Sequence, residues 1–188
     1  MSRNLKHLAV VIGLTGTMLD ENLRAWSMLK DDFDISFISS HSREPHITIS
    51  SGNCSTIDAL KKAVTSSLEN FAPFEIQGNG LGIFVKETPV LYIRWIITKE
   101  LARLFSYYEN ALQTVWQSIS KTTQSGMWTP KSTLAFCDIS YKQLPGIIAE
   151  LEGYDFEQTM TVDGITLLEV VEGEGEKFIE RYRFHTRK

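Results

Sequence analysis

The sequence predicts an α+β fold built from two similar halves, and three observations predict it. Apolar runs of strand length alternate with longer segments whose apolar residues recur at helical spacing. Pro45-His46-Ile47-Thr48-Ile49 and Pro130-Lys131-Ser132-Thr133-Leu134 share the pattern proline, basic residue, any residue, threonine, aliphatic residue, with the basic positions 85 apart. The third observation is bulk composition: 188 residues, 43% apolar and 22% charged, suit a globular chain that can bury a core without disulfides or metal. One domain over 1–188, made of two pseudo-symmetric lobes, is the expected organisation.

The elements follow in order. His7 to Leu14 is a continuous apolar run ending in Gly13-Leu14-Thr15-Gly16, a buried strand and a turn. Leu19, Leu23, Ala25, Trp26 and Leu29 fall on one helical stripe. Ile35 to Ile38 and His46 to Ser50 read as strands, the second opened by Pro45, which cannot donate to a ladder. A helix begins at Ser55-Thr56-Ile57-Asp58 and ends near Phe71, ahead of Pro73. Phe74 to Gln77 is expected to lead through a glycine-rich turn to Ile83 to Val85, with Val90 to Ile97 following. A long helix over 99–118 carries Leu101, Leu104, Phe105, Leu112, Val115 and Trp116 on one stripe. Residues 120–129 are a polar loop, Ser132 to Phe136 a strand, and 142–151 a short helix interrupted by Pro145. Strands over 156–162, 164–171 and 178–184 close the chain, separated by Asp163-Gly164, a hairpin signal, and by Glu172-Gly173-Glu174-Gly175.

Charge and cysteine usage exclude several classes. A formal charge of −4 gives no global field toward a polyphosphate surface, so no DNA duplex partner is expected and any nucleic-acid contact must be local. Cys54 and Cys137 form neither a disulfide scaffold nor a C-x-x-C pair and read as reduced, partly buried thiols. Arg3 and Lys6 precede an apolar run too short to span a bilayer and without a signal-peptide cleavage site, so a cytoplasmic monomer with no membrane contact is expected. There is no three-ligand metal spacing, P-loop or GxGxxG, hence no cofactor and no metal. His7, His41 and His185, the last between Arg183 and Arg187, lie in no motif.

The paired motifs carry the chemistry. On an extended strand residues two apart point to one face, so His46 with Thr48, and Lys131 with Thr133, would present four polar groups to a shared groove. Trp128-Thr129-Pro130-Lys131-Ser132-Thr133-Leu134-Ala135 matches W-x-P-H-x-T-L-A everywhere but the histidine, and Pro45-His46-Ile47-Thr48 supplies a full H-x-T. With Gly80-Leu81-Gly82-Ile83-Phe84 and Pro89-Val90-Leu91-Tyr92-Ile93 between them, the chain resembles the two-histidine (2H) phosphoesterases, the 2′-5′ RNA ligase-like superfamily, over nearly its whole length.

That resemblance implies a bilobal duplicated fold, two antiparallel sheets flanking a central groove with helices outside. It implies a metal-independent hydrolase acting on a 2′,3′-cyclic phosphate or a 2′-5′ phosphodiester of a nucleotide or RNA end, a cyclic nucleotide phosphodiesterase or 2′-5′ RNA ligase-like enzyme. One histidine would take the proton of the attacking hydroxyl or water and the other would protonate the leaving oxygen, while threonine hydroxyls hold the phosphate oxygens. Lys131 departs from the pattern. An ordinary ammonium, with a pKa near 10.4, is a poor base at pH 7, though it can hold a phosphate, and lowered by burial and by His46 it could act as an acid. The same residues fit a catalytically weak or inactive module that binds nucleotides or RNA ends, or an enzyme of this fold with another substrate. Tyr92 and Arg94, on one face of their strand, and Trp128, ahead of the second motif, are candidate substrate contacts.

Overall fold

The computed structural model describes residues 5–185, so Arg3 and Arg187 lie outside the described residues. Among the described residues two antiparallel sheets and five α-helices, with a short 3-10 turn at Lys121–Thr123, make up an α+β fold. The first sheet has the order β5-β2-β1-β8-β9, with β1 (Lys6–Gly13), β2 (His46–Cys54), β5 (Ser118–Ile119), β8 (Gly164–Val171) and β9 (Gly175–Arg183). The second has the order β6-β4-β3-β7, with β3 (Phe74–Phe84), β4 (Val90–Trp95), β6 (Lys131–Ala135) and β7 (Thr159–Val162). Among the described residues no helix is long and apolar enough to cross a membrane.

The helices are α1 (Gly16–Phe33), α2 (Phe37–His41), α3 (Ile57–Ser67), α4 (Lys99–Ala111) and α5 (Leu144–Leu151). α1 precedes β2 in the chain but packs on β6 and β7 of the other sheet, and α4 precedes β6 but packs on β2. The stripes explain this: Met18, Ala25, Trp26 and Leu29 of α1 are buried, as are Leu101, Leu104, Phe105 and Tyr108 of α4. Thr98 caps α4, its side chain accepting from the Leu101 N–H. One buried cluster runs through both sheets and these helices, from Leu8 and Val10 of β1 to Leu134 of β6 and Val162 of β7.

Several elements differ from the sequence expectation, each for a local physical reason. Ile35 to Ile38 is no strand: the Asp138 carboxylate accepts from the N–H groups of Ser36 and Phe37, 2.7 Å each, and the chain turns into α2. The glycine-rich segment expected to turn at 78–82 stays within one strand, β3, which takes two residues, Asn79 and Gly80, against the single Arg94 of β4. Pro145 begins α5 instead of interrupting a helix. α4 ends at Ala111, earlier than 118, with Trp116 buried beyond it. Asp163-Gly164 makes no hairpin, because β7 and β8 belong to different sheets and the chain crosses between them there. The hairpin at this end of the chain is β8–β9. Cys54 is buried and both cysteines are free thiols, but Cys137 is exposed, in a left-handed conformation.

Gly78 illustrates how tightly β3 is held. A Cβ there would stand 2.0 Å from the Phe156 carbonyl oxygen. Gly78→Ala is expected to destabilise the fold by about 2–4 kcal/mol, since backbone must move to admit the methyl. A thermal midpoint within about 2 °C of wild type would contradict this close approach.

Candidate active site

The two motif strands are built alike. β2 and β6 both begin at the basic residue, and His46-Ile47-Thr48-Ile49-Ser50 and Lys131-Ser132-Thr133-Leu134-Ala135 have the same alternation, with the basic residue and threonine half-buried and the other three buried. The alternation follows from the pleat: Ile47, Ile49, Ser132 and Leu134 turn into the core, so His46, Thr48, Lys131 and Thr133 turn out of it. Each motif proline, lacking an N–H of its own, accepts instead: Leu14 N–H donates to Pro45 O at 2.9 Å and Trp95 N–H to Pro130 O at 3.3 Å.

Both strands also carry an irregularity one residue beyond the motif threonine. Val11 pairs with Thr48 and Val10 with Ser50, which leaves Ile49 extra. Tyr92 pairs with Thr133 and Leu91 with Ala135, which leaves Leu134 extra. A bulge bends and twists its strand and so re-aims the side chains beside it. Each threonine carbonyl is braced by an indole: Trp128 Nε1 donates to Thr48 O at 2.9 Å, and Trp26 Nε1 to Thr133 O at 3.2 Å.

His46, Thr48, Lys131 and Thr133 line one cavity of about 190 Å³, with Trp26, Ile38, Ser42 and Glu176. His46 Nδ1 lies 2.9 Å from the Glu44 carbonyl oxygen. A carbonyl only accepts, so Nδ1 carries the proton and Nε2 is the atom free to exchange one. Nε2 lies 3.6 Å from Glu176 Oε1, and Glu176 Oε2 accepts from the Arg43 N–H at 3.1 Å. Across the cavity Lys131 Nζ donates to Thr133 Oγ1 at 3.5 Å. Burial pushes the Lys131 ammonium below the ordinary lysine range, and the Lys86 cation pushes it the same way. The expected cause was burial together with His46; the charged neighbour is Lys86 instead.

A second cavity of about 240 Å³ adjoins the first through Thr48 and Lys131 and adds Phe84, Lys86, Met127 and Trp128 to the lining. Tyr141 pins Lys86 from both sides, its hydroxyl accepting from Lys86 N–H at 3.0 Å and donating to Lys86 O at 2.6 Å. A larger cavity of about 650 Å³ opens beside Glu109, Trp116 and Gln117; it shares no lining residue with the two motif cavities, and no basic side chain lines it.

The secondary candidates are less well placed. Tyr92 is buried with its ring stacked on Phe84, 4.4 Å between centroids, and lines neither motif cavity. Arg94 stands opposite Lys131 in register but is exposed and also outside both linings. Trp128 reaches the second cavity while one face stacks on Phe105 at 4.2 Å, so much of its ring is committed to packing. Sequence reasoning missed Glu176, Lys86, Trp26, Ile38 and Ser42. Trp26 had a signal only as one apolar position of a helical stripe, and Glu176 sits beside a turn read as a plain connection.

Comparison with known proteins agrees with this architecture. Residues 39–174 match the family model of the 2′-5′ RNA ligase superfamily. No curated protein matches the chain. The protein TT0787 of Thermus thermophilus has a similar structure, with a TM-score of 0.68 at 14% identity, covering 97% of this chain and 100% of that one. LigT of E. coli, complexed with 3′-AMP, gives 0.61 at 13% identity over 96% and 99%. A structure described as a phosphoesterase gives 0.63 at 12% identity over 98% and 100%. At such identities the structural likeness is one of fold, while the family match includes both motif strands and everything between them. The chain therefore belongs to the 2′-5′ RNA ligase superfamily, the two-histidine phosphoesterases.

Proposed function

We infer that the chain is a phosphoesterase that opens a 2′,3′-cyclic phosphate or a 2′-5′ phosphodiester on a nucleotide or RNA end, working as one unit of two lobes. The observation that carries the reading is that strands of two different sheets bring two basic side chains and two threonines to one cavity of about 190 Å³. Family membership supports it, as do the nucleotides bound by the similar E. coli LigT, complexed with 3′-AMP in one structure and with ATP in another. In this reading His46 Nε2 takes the proton of the attacking water or hydroxyl. Lys131, its ammonium made more acidic by burial, holds a non-bridging oxygen and gives a proton to the leaving oxygen. The hydroxyls of Thr48 and Thr133 donate to the phosphate as charge builds there.

One observation favours the alternative, a module that binds nucleotide or RNA ends with little turnover: the Glu176 carboxylate stands 3.6 Å from His46 Nε2 and competes for the same nitrogen. Turnover of adenosine 2′,3′-cyclic phosphate and of a 2′-5′-linked diadenosine separates the readings. Hydrolysis of either supports the enzyme, and tight binding without product formation supports the module.

Activity is expected to survive EDTA. Among the described residues no group of three His, Cys, Asp or Glu is placed to hold a metal, and each proposed step is assigned to a side chain. Loss of turnover in EDTA, restored by a divalent ion, would overturn the metal-independent mechanism.

A further inference from the structure

We propose that Glu176 is a specificity-determining residue that tunes the motif cavity to the single negative charge of a phosphodiester and against the double charge of the phosphomonoester. The proposal rests on the phosphate-site reading above and extends it to a residue outside both motifs. Glu176 lines the same cavity as His46, Thr48, Lys131 and Thr133, and its Oε1 stands 3.6 Å from His46 Nε2. A carboxylate is an unexpected wall for an anion site, because it repels whatever the lysine attracts.

The carboxylate is held there. Its Oε2 accepts from the Arg43 N–H, on the segment that leads into β2. The residue before it, Gly175, has a φ of +83°, and a Cβ there would lie 2.4 Å from the His41 carbonyl oxygen, so the β8–β9 hairpin is seated directly against α2. Glu176 also pairs with Val170 inside that hairpin. The side chain thus has a hydrogen bond at its tip and a fixed strand at its base.

Charge balance then decides the ligand. Among the side chains that line the cavity itself Lys131 contributes one positive charge and Glu176 one negative, with His46 adding a positive charge when its ring is protonated, while the Lys86 cation lines only the adjoining cavity. The lining at its most positive matches a monoanion and falls one charge short of a dianion. Hydrolysis of a cyclic diester crosses that boundary. Water's oxygen bonds to phosphorus and gives up a proton to His46, the bond from phosphorus to one ribose oxygen breaks, and that oxygen takes up a proton from Lys131. The monoester so formed, with a second pKa near 6, loses its own proton to solvent above that pH and becomes a dianion. Glu176 therefore acts on the product more strongly than on the substrate, weakening product retention.

The test uses Glu176→Gln, which keeps an oxygen for the Arg43 N–H and removes only the charge. Affinities for adenosine 2′,3′-cyclic phosphate and for 3′-AMP are measured by calorimetry at pH 8, where the monoester is dianionic. Repulsion scales with ligand charge, so the factor gained by the monoester should be about the square of that gained by the diester, for example about tenfold against about threefold. Equal gains for both ligands, no gain, or weaker binding would overturn the proposal and leave the phosphate-site reading standing, since a role in shape or hydrogen bonding does not follow ligand charge. Wild-type protein that binds neither ligand would overturn both.

Discussion

His46→Ala is expected to lower hydrolysis of a 2′,3′-cyclic nucleotide by about 10²–10⁴-fold, the range usual for removing one positioned acid or base. The expectation follows from how the ring is held. Nδ1 donates to the Glu44 carbonyl two residues away, an arrangement that fixes both the tautomer and the ring plane, and Nε2 is directed into the cavity toward Glu176. The fold should tolerate the change, because the ring is half-buried at the edge of the motif cavity and the core contacts of β2 belong to Ile47 and Ile49. The diagnostic pattern is a collapse in kcat with a far smaller effect on KM, since the imidazole acts mainly as the proton moves. A kcat reduced less than about threefold, in protein with an unchanged thermal midpoint, would remove His46 from the mechanism.

Much of this site was legible because its signals are local. A proline, a basic residue and a threonine two positions on describe a strand that opens without a donor and shows two polar side chains on one face, and β2 and β6 both do so. The reasoning failed where a long-range contact outweighs a local preference. Asp163-Gly164 has hairpin chemistry, yet Gly164 pairs with Arg183, because β8 completes the sheet of β1 while β7 completes that of β3. The glycines of 78–82 read as a turn, but Gly82 is needed for the Tyr92 ring to lie across β3, and with that packing Tyr92 lines neither motif cavity. Glu176 lies 130 residues from His46 and meets it only because β9 folds against α2, a juxtaposition without a spacing rule. Lys86 likewise comes to Lys131 through a loop pinned by Tyr141.

Replacing Lys131 is expected to change stability and ligand binding together, with the two moving in opposite directions. Its pKa is lowered by burial first and by Lys86 second, so below that lowered value the folded protein carries a desolvated ammonium that the unfolded chain keeps hydrated. Between the folded pKa and the ordinary value near 10.4 the unfolded state binds more protons, and this group's contribution therefore makes stability rise with pH across that window. Lys131→Met removes the penalty. A gain of about 1–2 kcal/mol, or a few degrees in Tm, is expected at pH 7, shrinking toward zero above pH 10. Phosphate-ligand affinity should fall by about tenfold or more at the same time, because the anion loses its cation. Lys131→His separates proton transfer from charge. It should raise hydrolysis of a 2′,3′-cyclic nucleotide near pH 6–7 if the rest of the site is competent, and weaken anion binding at pH 8, where imidazole is mostly neutral. The wild-type rate should fall as pH rises through the lowered lysine pKa. Lys86→Met, by removing a like charge, should move that limb to higher pH, whereas Lys131→His should move it to lower pH. Rate profiles from pH 5 to 10 for wild type and these two variants check the assignment. A wild-type limb that neither variant displaces would mean that Lys131 does not exchange the proton, and with unchanged ligand affinity in Lys131→Met the cavity would have to be withdrawn as the phosphate site.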